Sequence, residues 1–133
     1  MKRVLVTGSA GFIGFHTCTH LLELGFKVFG YDNLNNFYST KLKQERLDML
    51  LEHKNFSFKK GDLNNSTELD NFISEAQPEV VYHLAAQAGV RHSFESPEQY
   101  IVSNINGTFN LIESLKKREI KHLLFSSTSS VYG

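Results

Sequence analysis

Three glycines, Gly8, Gly11 and Gly14, follow the apolar run Val4-Leu5-Val6 at G-x-x-G-x-x-G spacing. This differs from the G-x-G-x-x-G of the commonest dinucleotide folds, but the physics of the turn is shared. Gly8 can bend the chain tightly, Gly11 brings backbone close to a pyrophosphate with no Cβ in the way, and Gly14 lets a helix lie close on its strand. Free N–H groups and the positive dipole end at that helix start favour phosphate. Taken alone, the spacing is equally consistent with a tight strand-to-helix turn. Asp32 tips the balance. It closes the second apolar run, Val28-Phe29-Gly30-Tyr31, about 20 residues on, where an acid meets the adenosine ribose of a dinucleotide. A carboxylate there repels a 2′-phosphate, and the adjacent Asn33-Leu34-Asn35 holds no arginine to compensate. The cofactor expected is therefore NAD rather than NADP.

Other polar groups are placed to join this site. Asp62 follows the third apolar run and could accept from an adenine amino group. Ala85 and Ala86 are small residues after the fourth run, where a cofactor would lie on the backbone, although packing alone also favours small residues there. Arg91 follows Gly89 on the loop after that run. It could reach a substrate phosphate or carboxylate, or equally stand in solvent. His16 and His20 sit one helical turn apart with no third ligand beside them, so solvated histidines are expected and no metal site. Lys41, Lys43 and Arg46 read as a solvated helix face.

These groups must be held by alternating strands and helices. Short β-branched or apolar runs recur at Val4–Val6, Lys27–Tyr31, Phe56–Lys60, Val80–Leu84 and His122–Phe125, with helical periodicity between them. A first helix from about Gly11 to Leu24 should bury Ile13, Thr17, Leu21 and Leu24, stop at Gly25, and turn His16, His20 and Glu23 outward. A second, about Ser39 to Glu52, carries Leu47, Leu50 and Leu51 on one side. A third, about Ser66 to Ala76, buries Leu69, Phe72, Ile73 and Ala76 and has Asn65 with Glu68 as its cap. A fourth starts with Ser96 as cap, Pro97 at its first position and Gln99 closing a capping box, and turns Ile101, Ile105, Thr108, Ile112 and Leu115 inward. The fold expected is α/β: a Rossmann-type doubly wound parallel sheet of about five strands and four helices with right-handed crossovers.

Composition narrows the function. A chain of 133 residues with 41% hydrophobic content can bury one real core. Its 14 basic and 14 acidic side chains cancel, which points to a small-molecule partner and away from nucleic acid or an anionic membrane. The single Cys18 excludes an intramolecular disulfide and fits a reducing, cytoplasmic setting. The apolar run at the N-terminus is too short for a signal or spanning segment.

The segments VTGSAGFIG, YDNLNNFYSTKLKQERL, HLAAQAGVRHSFESP, SNINGTFNLIE and FSSTSSVYG together resemble the extended short-chain dehydrogenase/reductase family. Within it they resemble the NAD-dependent sugar-nucleotide 4-epimerases, most closely the UDP-glucuronate 4-epimerases. The resemblance implies that Phe12 and Ile13 line the pyrophosphate, that Asp32 and Asn33 hold the adenosine half, and that Asp62 and Leu63 contact adenine. Leu84, Ala85, Gln87 and Asn104 would complete the NAD pocket. It also implies that Thr128, four residues before Tyr132 of the V-Y-G turn, hydrogen-bonds the sugar 4-OH as a catalytic group. Dehydratases of this family carry Asp-Glu after that threonine and UDP-glucuronate decarboxylases carry Ser-Glu, whereas this chain has Ser129-Ser130. Without a carboxylic acid there, dehydration is disfavoured, and the two hydroxyls could bind a substrate carboxylate neutrally.

The family's base is a tyrosine with a lysine four residues later. The positions four beyond Tyr31, Tyr38, Tyr82 and Tyr100 are Asn35, Leu42, Ala86 and Asn104, and the chain stops one residue after Tyr132. The base is therefore expected past Gly133, together with the later strands and the sugar-binding region, and the chain is expected to be an NAD-binding N-terminal part that is silent by itself. Its sheet edge near Leu123–Phe125 should invite self-association. Two rival readings are another dehydratase, decarboxylase or reductase of nucleotide sugars, and a non-catalytic NAD-binding interaction module.

Overall fold

The computed structural model describes residues 2–35 and 39–132. Tyr38, with positions 36 and 37 of the YDNLNNFYSTKLKQERL segment, lies outside them, as does Gly133. Five strands, β1 (Arg3–Thr7), β2 (Lys27–Asp32), β3 (Phe56–Lys60), β4 (Val80–His83) and β5 (His122–Phe125), form one sheet in the order β3-β2-β1-β4-β5. Every neighbouring pair is parallel, with Thr7 opposite both Tyr31 and His83. The strand order reverses between β1 and β4, so their carboxyl ends open the crevice where such sheets take ligands. The doubly wound α/β reading is the architecture observed.

Alternation along the strands divides the core in two, because successive side chains point to opposite faces. Val4, Val6 and Val28 pack on one face with Cys18, Leu21 and Leu22 of α1 (Phe12–Glu23) and Leu47 and Leu50 of α2 (Thr40–Leu51). Leu5, Phe29, Tyr31 and Val81 pack on the other with α3 (Ser66–Ala76) and with Leu111 and Leu115 of α6 (Gly107–Leu115). The third helix is as expected: Leu69, Phe72, Ile73 and Ala76 are buried, and Asn65 Oδ1 accepts from the Glu68 amide at 3.1 Å.

Three helices differ from expectation in phase. In α1 the inward residues are Gly14, Cys18, Leu21 and Leu22. Ile13 (63% exposed) and Leu24 are turned out, and Thr17 is only half-buried. Gly14 is the cause, since a Cβ there would overlap the Gly8 carbonyl, and pressing this position onto the turn rotates the helix by one residue. In α2 the inward stripe is Lys43, Leu47 and Leu50, with Leu51 exposed. Lys43 is not solvated, and Arg46 is half-buried.

The fourth helical region departs most. Residues 90–95, read as loop, form a short helix α4 (Val90–Glu95) that carries Arg91 exposed. The run from Pro97 then comprises α5 (Pro97–Tyr100), a π-helical segment over Ile101–Asn106, and α6. Pro97 holds the first position, but Ser96 makes no side-chain cap, and Gln99 Oε1 lies 3.2 Å from His92 Nε2 instead of closing a capping box. The π turn widens the helix locally, so the phase counted from Ser96 slips by one residue. Gly107, Leu111, Ser114 and Leu115 face inward, while Ile101, Ile105 and Ile112 are exposed.

Candidate active site

The cleft lies at the carboxyl ends of β1, β2 and β4 and encloses about 650 Å³. Its floor is the turn from β1 into α1. Gly8 adopts φ +72°, a left-handed conformation that glycine reaches without strain, and donates its amide to Tyr31 O at 2.8 Å. A Cβ on Gly8 would stand 2.9 Å from the Ala85 amide nitrogen, so this glycine also lets the β4 exit pass close by. Gly11 donates to Gly8 O at 3.0 Å and begins α1 with no side-chain cap. The first-turn amides of Phe12, Ile13 and Gly14 therefore lack a capping acceptor at the cleft, which suits an anion.

Asp32, almost wholly buried at the end of β2, is tied to that turn. Its Oδ2 accepts the Ala10 amide at 3.0 Å and its Oδ1 the Leu34 amide at 2.8 Å. The glycine turn and the acid are thus one unit joined across neighbouring strands. Asn33 lines the cleft beside it. Sequence neighbours of Asp32 include no cation, but α2 brings two into the same wall, which corrects the solvated-face reading of Lys43 and Arg46. Lys43 is 7% exposed and donates Nζ to Asn35 O at 2.9 Å and Asn35 Oδ1 at 2.7 Å. Desolvation holds its pKa below the ordinary lysine value, opposed by Asp32 and assisted by Arg46. Arg46 donates Nη1 to Ala10 O at 3.3 Å and lies over the Phe12 ring.

Asp62 and Leu63 form the wall beyond β3. Asp62 Oδ1 accepts from the Asn64 amide at 2.9 Å, and Tyr31 donates its hydroxyl to Asp62 O at 3.0 Å. Burial, then Glu68 and Asp62, raises the Tyr31 phenol far above its usual range, so it stays protonated. The opposite wall is the β4 exit, Leu84, Ala85, Ala86 and Gln87. Asn104 does not line the cleft but clamps Gln87, accepting its amide at 2.7 Å and donating to its carbonyl at 3.1 Å. Gln87 Nε2 is buried and has no hydrogen-bond partner, an orphaned donor at a cleft wall that a ligand acceptor would satisfy. The uncapped glycine turn on the floor and this donor at the β4 exit fit a dinucleotide.

The expected site thus divides. Gly8, Gly11, Phe12, Ile13, Gly14, Asp32, Asn33, Asp62, Leu63, Leu84, Ala85, Ala86 and Gln87 come together in the cleft. Thr128, Ser129, Ser130 and Arg91 are exposed and stand outside its lining. Thr128 Oγ1 accepts the Ser130 amide at 3.1 Å within a 3₁₀ turn over Ser129–Tyr132. Ser126 and Ser127 line the cleft in their place. The i, i+4, i+7 stripe 43-47-50 is the sequence signal for an inward Lys43, whereas no such signal marks Arg46. His16 makes edge contacts with Phe12 and Phe15, and His20 lies 3.8 Å from Glu23. Among the described residues no three His, Cys, Asp or Glu cluster to hold a metal, and no helix is long and apolar enough to cross a membrane.

Residues 5–133 match the family model described as GDP-mannose 4,6 dehydratase. The chain is 46% identical over 131 residues to Protein CapI of Staphylococcus aureus, covering 98% of this chain and 39% of that protein. It is 46% identical over 133 residues to the UDP-glucuronate 4-epimerase of Thermodesulfobacterium geofontis, covering 100% and 41%. Among solved structures it is similar to UDP-glucuronic acid 4-epimerase from Bacillus cereus in complex with UDP-glucuronic acid and NAD. That likeness has a TM-score of 0.90 at 38% identity and covers 100% of this chain and 42% of the other. The chain therefore spans about two fifths of the length of the relatives it matches.

Proposed function

Since the chain belongs to the GDP-mannose 4,6 dehydratase family, we propose that it is the NAD-binding part of a nucleotide-sugar 4-epimerase acting on UDP-glucuronate and UDP-galacturonate. The observation that carries this reading is the bond from the Ala10 amide to Asp32 Oδ2, which sets an acid and an uncapped glycine turn in one cleft. In the bound state the first-turn amides of α1 take the pyrophosphate, and the free lone pairs of Asp32 take the ribose hydroxyls and disfavour a 2′-phosphate, Lys43 being engaged by Asn35 and Arg46 by the Ala10 carbonyl. Asp62 and Leu63 receive the adenine, and the β4 exit with Gln87 holds the other half. NAD supplies a hydride acceptor that returns the hydride, so epimerisation needs no net oxidant.

The sugar lies toward Ser126 and Ser127, with Thr128 donating to its 4-OH and Ser129, Ser130 and Arg91 receiving its carboxylate. Because these last four stand outside the cleft, this part of the reading requires the 126–132 segment to fold inward on substrate. None of Tyr31, Tyr38, Tyr82 and Tyr100 has a lysine four residues on, so these 133 residues alone leave the 4-OH proton in place and do not turn over. The exposed apolar side chains of edge strand β5 support self-association. The lone buried Cys18 supports a reducing, cytoplasmic setting.

Calorimetry tests the binding reading. NAD should bind, NADP should bind at least about tenfold more weakly, and Asp32→Ala should lose about 10- to 100-fold in NAD affinity, the loss expected of a charge-assisted hydrogen bond. NAD binding unaffected by Asp32→Ala, in a variant with unchanged circular dichroism, would refute it. Product analysis of the full-length protein with UDP-glucuronate separates the 4-epimer from a dehydrated or decarboxylated product. Light scattering that finds a clean monomer at high concentration would reject self-association.

A further inference from the structure

His83 ends β4, is 3% exposed, and belongs to no part of the site assigned above. Its Nδ1 lies 2.7 Å from Thr7 Oγ1 on β1, its Nε2 lies 2.9 Å from Thr108 Oγ1 on α6, and its ring packs against Phe125 of β5. Thr7 Oγ1 also accepts the amides of Leu84 and Ala85, each at 3.1 Å. A hydroxyl has two acceptor positions and one proton. The two amides occupy both acceptor positions, so the Thr7 proton has only His83 Nδ1 to go to. Nδ1 is therefore an acceptor, and the ring hydrogen sits on Nε2 and is donated to Thr108.

We infer that His83 is a positioning residue of the dinucleotide cleft: as the neutral Nε2–H tautomer it orients the Thr7 hydroxyl to hold the Leu84 and Ala85 amides, and its protonation releases one of them. The inference rests on the cleft being the NAD site. An imidazolium would point a second N–H at a Thr7 oxygen whose acceptor positions are already filled, and one amide must leave. The Leu84 amide gives way at least cost, because it is shared with the Thr7 carbonyl at 3.3 Å and keeps that acceptor. The Leu84 carbonyl carbon and the Ala85 amide are packed on Gly8, so the loosened segment adjoins the glycine turn. Four residues on, Asn104 holds Gln87. Segment 83–87 is thus pinned to the helical run at two points, His83 to Thr108 and Gln87 to Asn104, spaced by four residues on each partner.

The groups facing His83 are the hydroxyls of Thr7 from β1 and Thr108 from α6 and the ring of Phe125 from β5, and no charged group contributes to its titration. Burial holds its pKa down to about 4.

The test uses the 133-residue chain with ¹⁵N-labelled histidine, together with His83→Asn, whose carboxamide oxygen can take the Nδ1 role, and His83→Leu, which offers no acceptor. Imidazole nitrogen shifts should report the Nε2–H tautomer at neutral pH. His83→Leu should weaken NAD binding about tenfold or more and selectively speed exchange of the Leu84 and Ala85 amides, while His83→Asn should stay within about threefold. As pH falls toward 4, wild-type NAD affinity should drop more steeply than that of His83→Asn. An Nδ1–H tautomer, a folded His83→Leu that binds NAD as wild type does, or matching pH profiles would each overturn the inference. If His83→Leu fails to fold, the tautomer and the pH comparison with His83→Asn still decide it. If the wild-type chain binds no NAD, the site reading fails, while the tautomer and amide exchange still test the hydroxyl orientation.

Discussion

Replacing Gly14 with alanine should separate the geometric role of the glycine turn from simple flexibility. Cβ atoms essentially never approach other heavy atoms within 3.0 Å, yet one on Gly14 would overlap the Gly8 carbonyl oxygen and stand 2.8 Å from its carbon. Both obstacles are backbone, so no side chain can swing away. The helix must lift off the sheet, and α1 carries Cys18, Leu21 and Leu22 of one core. Overpacking of this kind costs about 3 kcal/mol or somewhat more, a fall in Tm of roughly 10 °C for a domain of this size. Gly25→Ala is the control. Gly25 has φ +87° and nothing within 4 Å of a built Cβ, so only the left-handed backbone is penalised, at about 1 to 2 kcal/mol. Urea and thermal unfolding measure both variants, and NAD calorimetry follows. Gly14→Ala should be the less stable and should lose NAD binding, whereas Gly25→Ala should bind normally. A Gly14→Ala protein as stable as Gly25→Ala, or one that binds NAD as wild type does, would refute the reasoning.

His83 gives the stability curve an acid limb: its folded pKa of about 4 lies below the ordinary 6.5, so the unfolded chain takes up a proton that the folded one refuses. Its contribution is complete above about pH 6.5 and falls by about 3 kcal/mol between there and pH 4, and urea midpoints against pH should lose this limb in His83→Asn. Asp70, held down to about 2 by hydrogen bonds from Ser114 and Arg118, contributes stability that is complete above the ordinary carboxylate pKa and is lost as pH falls toward 2. Asp70→Asn should flatten the curve in that lower window. Leu50→Ala, at a buried position, should cost about 2 to 5 kcal/mol by chemical unfolding, while Leu51→Ala next to it, 51% exposed, should change stability by no more than about 0.5 kcal/mol. Cys18 is buried, with its thiol pushed up to about 12 by desolvation and then by Asp32. It should not react with a thiol reagent at pH 8 until the chain is unfolded, and rapid native-state labelling would contradict this.

The strands, the third helix and the glycine turn were legible because each rests on local signals. These are alternation, a cap at Asn65, and a left-handed Gly8 between a strand and a helix. The helix faces were less so. The inward face of α1 depends on Gly14 meeting Gly8, a contact that only the closed turn creates, and the π segment at Ile101–Asn106 leaves no propensity signature strong enough to reset the phase counted from Ser96. Lys43 misled for a related reason. A lysine on a helix is ordinarily solvated, and it is buried here with Asn35 supplying two oxygens to its ammonium group.

From sequence alone came the order of elements, the parallel sheet and the union of the glycine spacing with Asp32, since each depends on residue type and on separations within one strand–helix unit. Tertiary structure alone decided what crosses between units. It brought Lys43 and Arg46 of α2 to the wall beside Asp32, joined Gln87 to Asn104, and set Ser126 and Ser127 in the cleft with Thr128 outside it. It also closed Thr7, His83 and Thr108 into one hydrogen-bonded line, because β1, β4 and α6 become neighbours only when the sheet order reverses at the cleft.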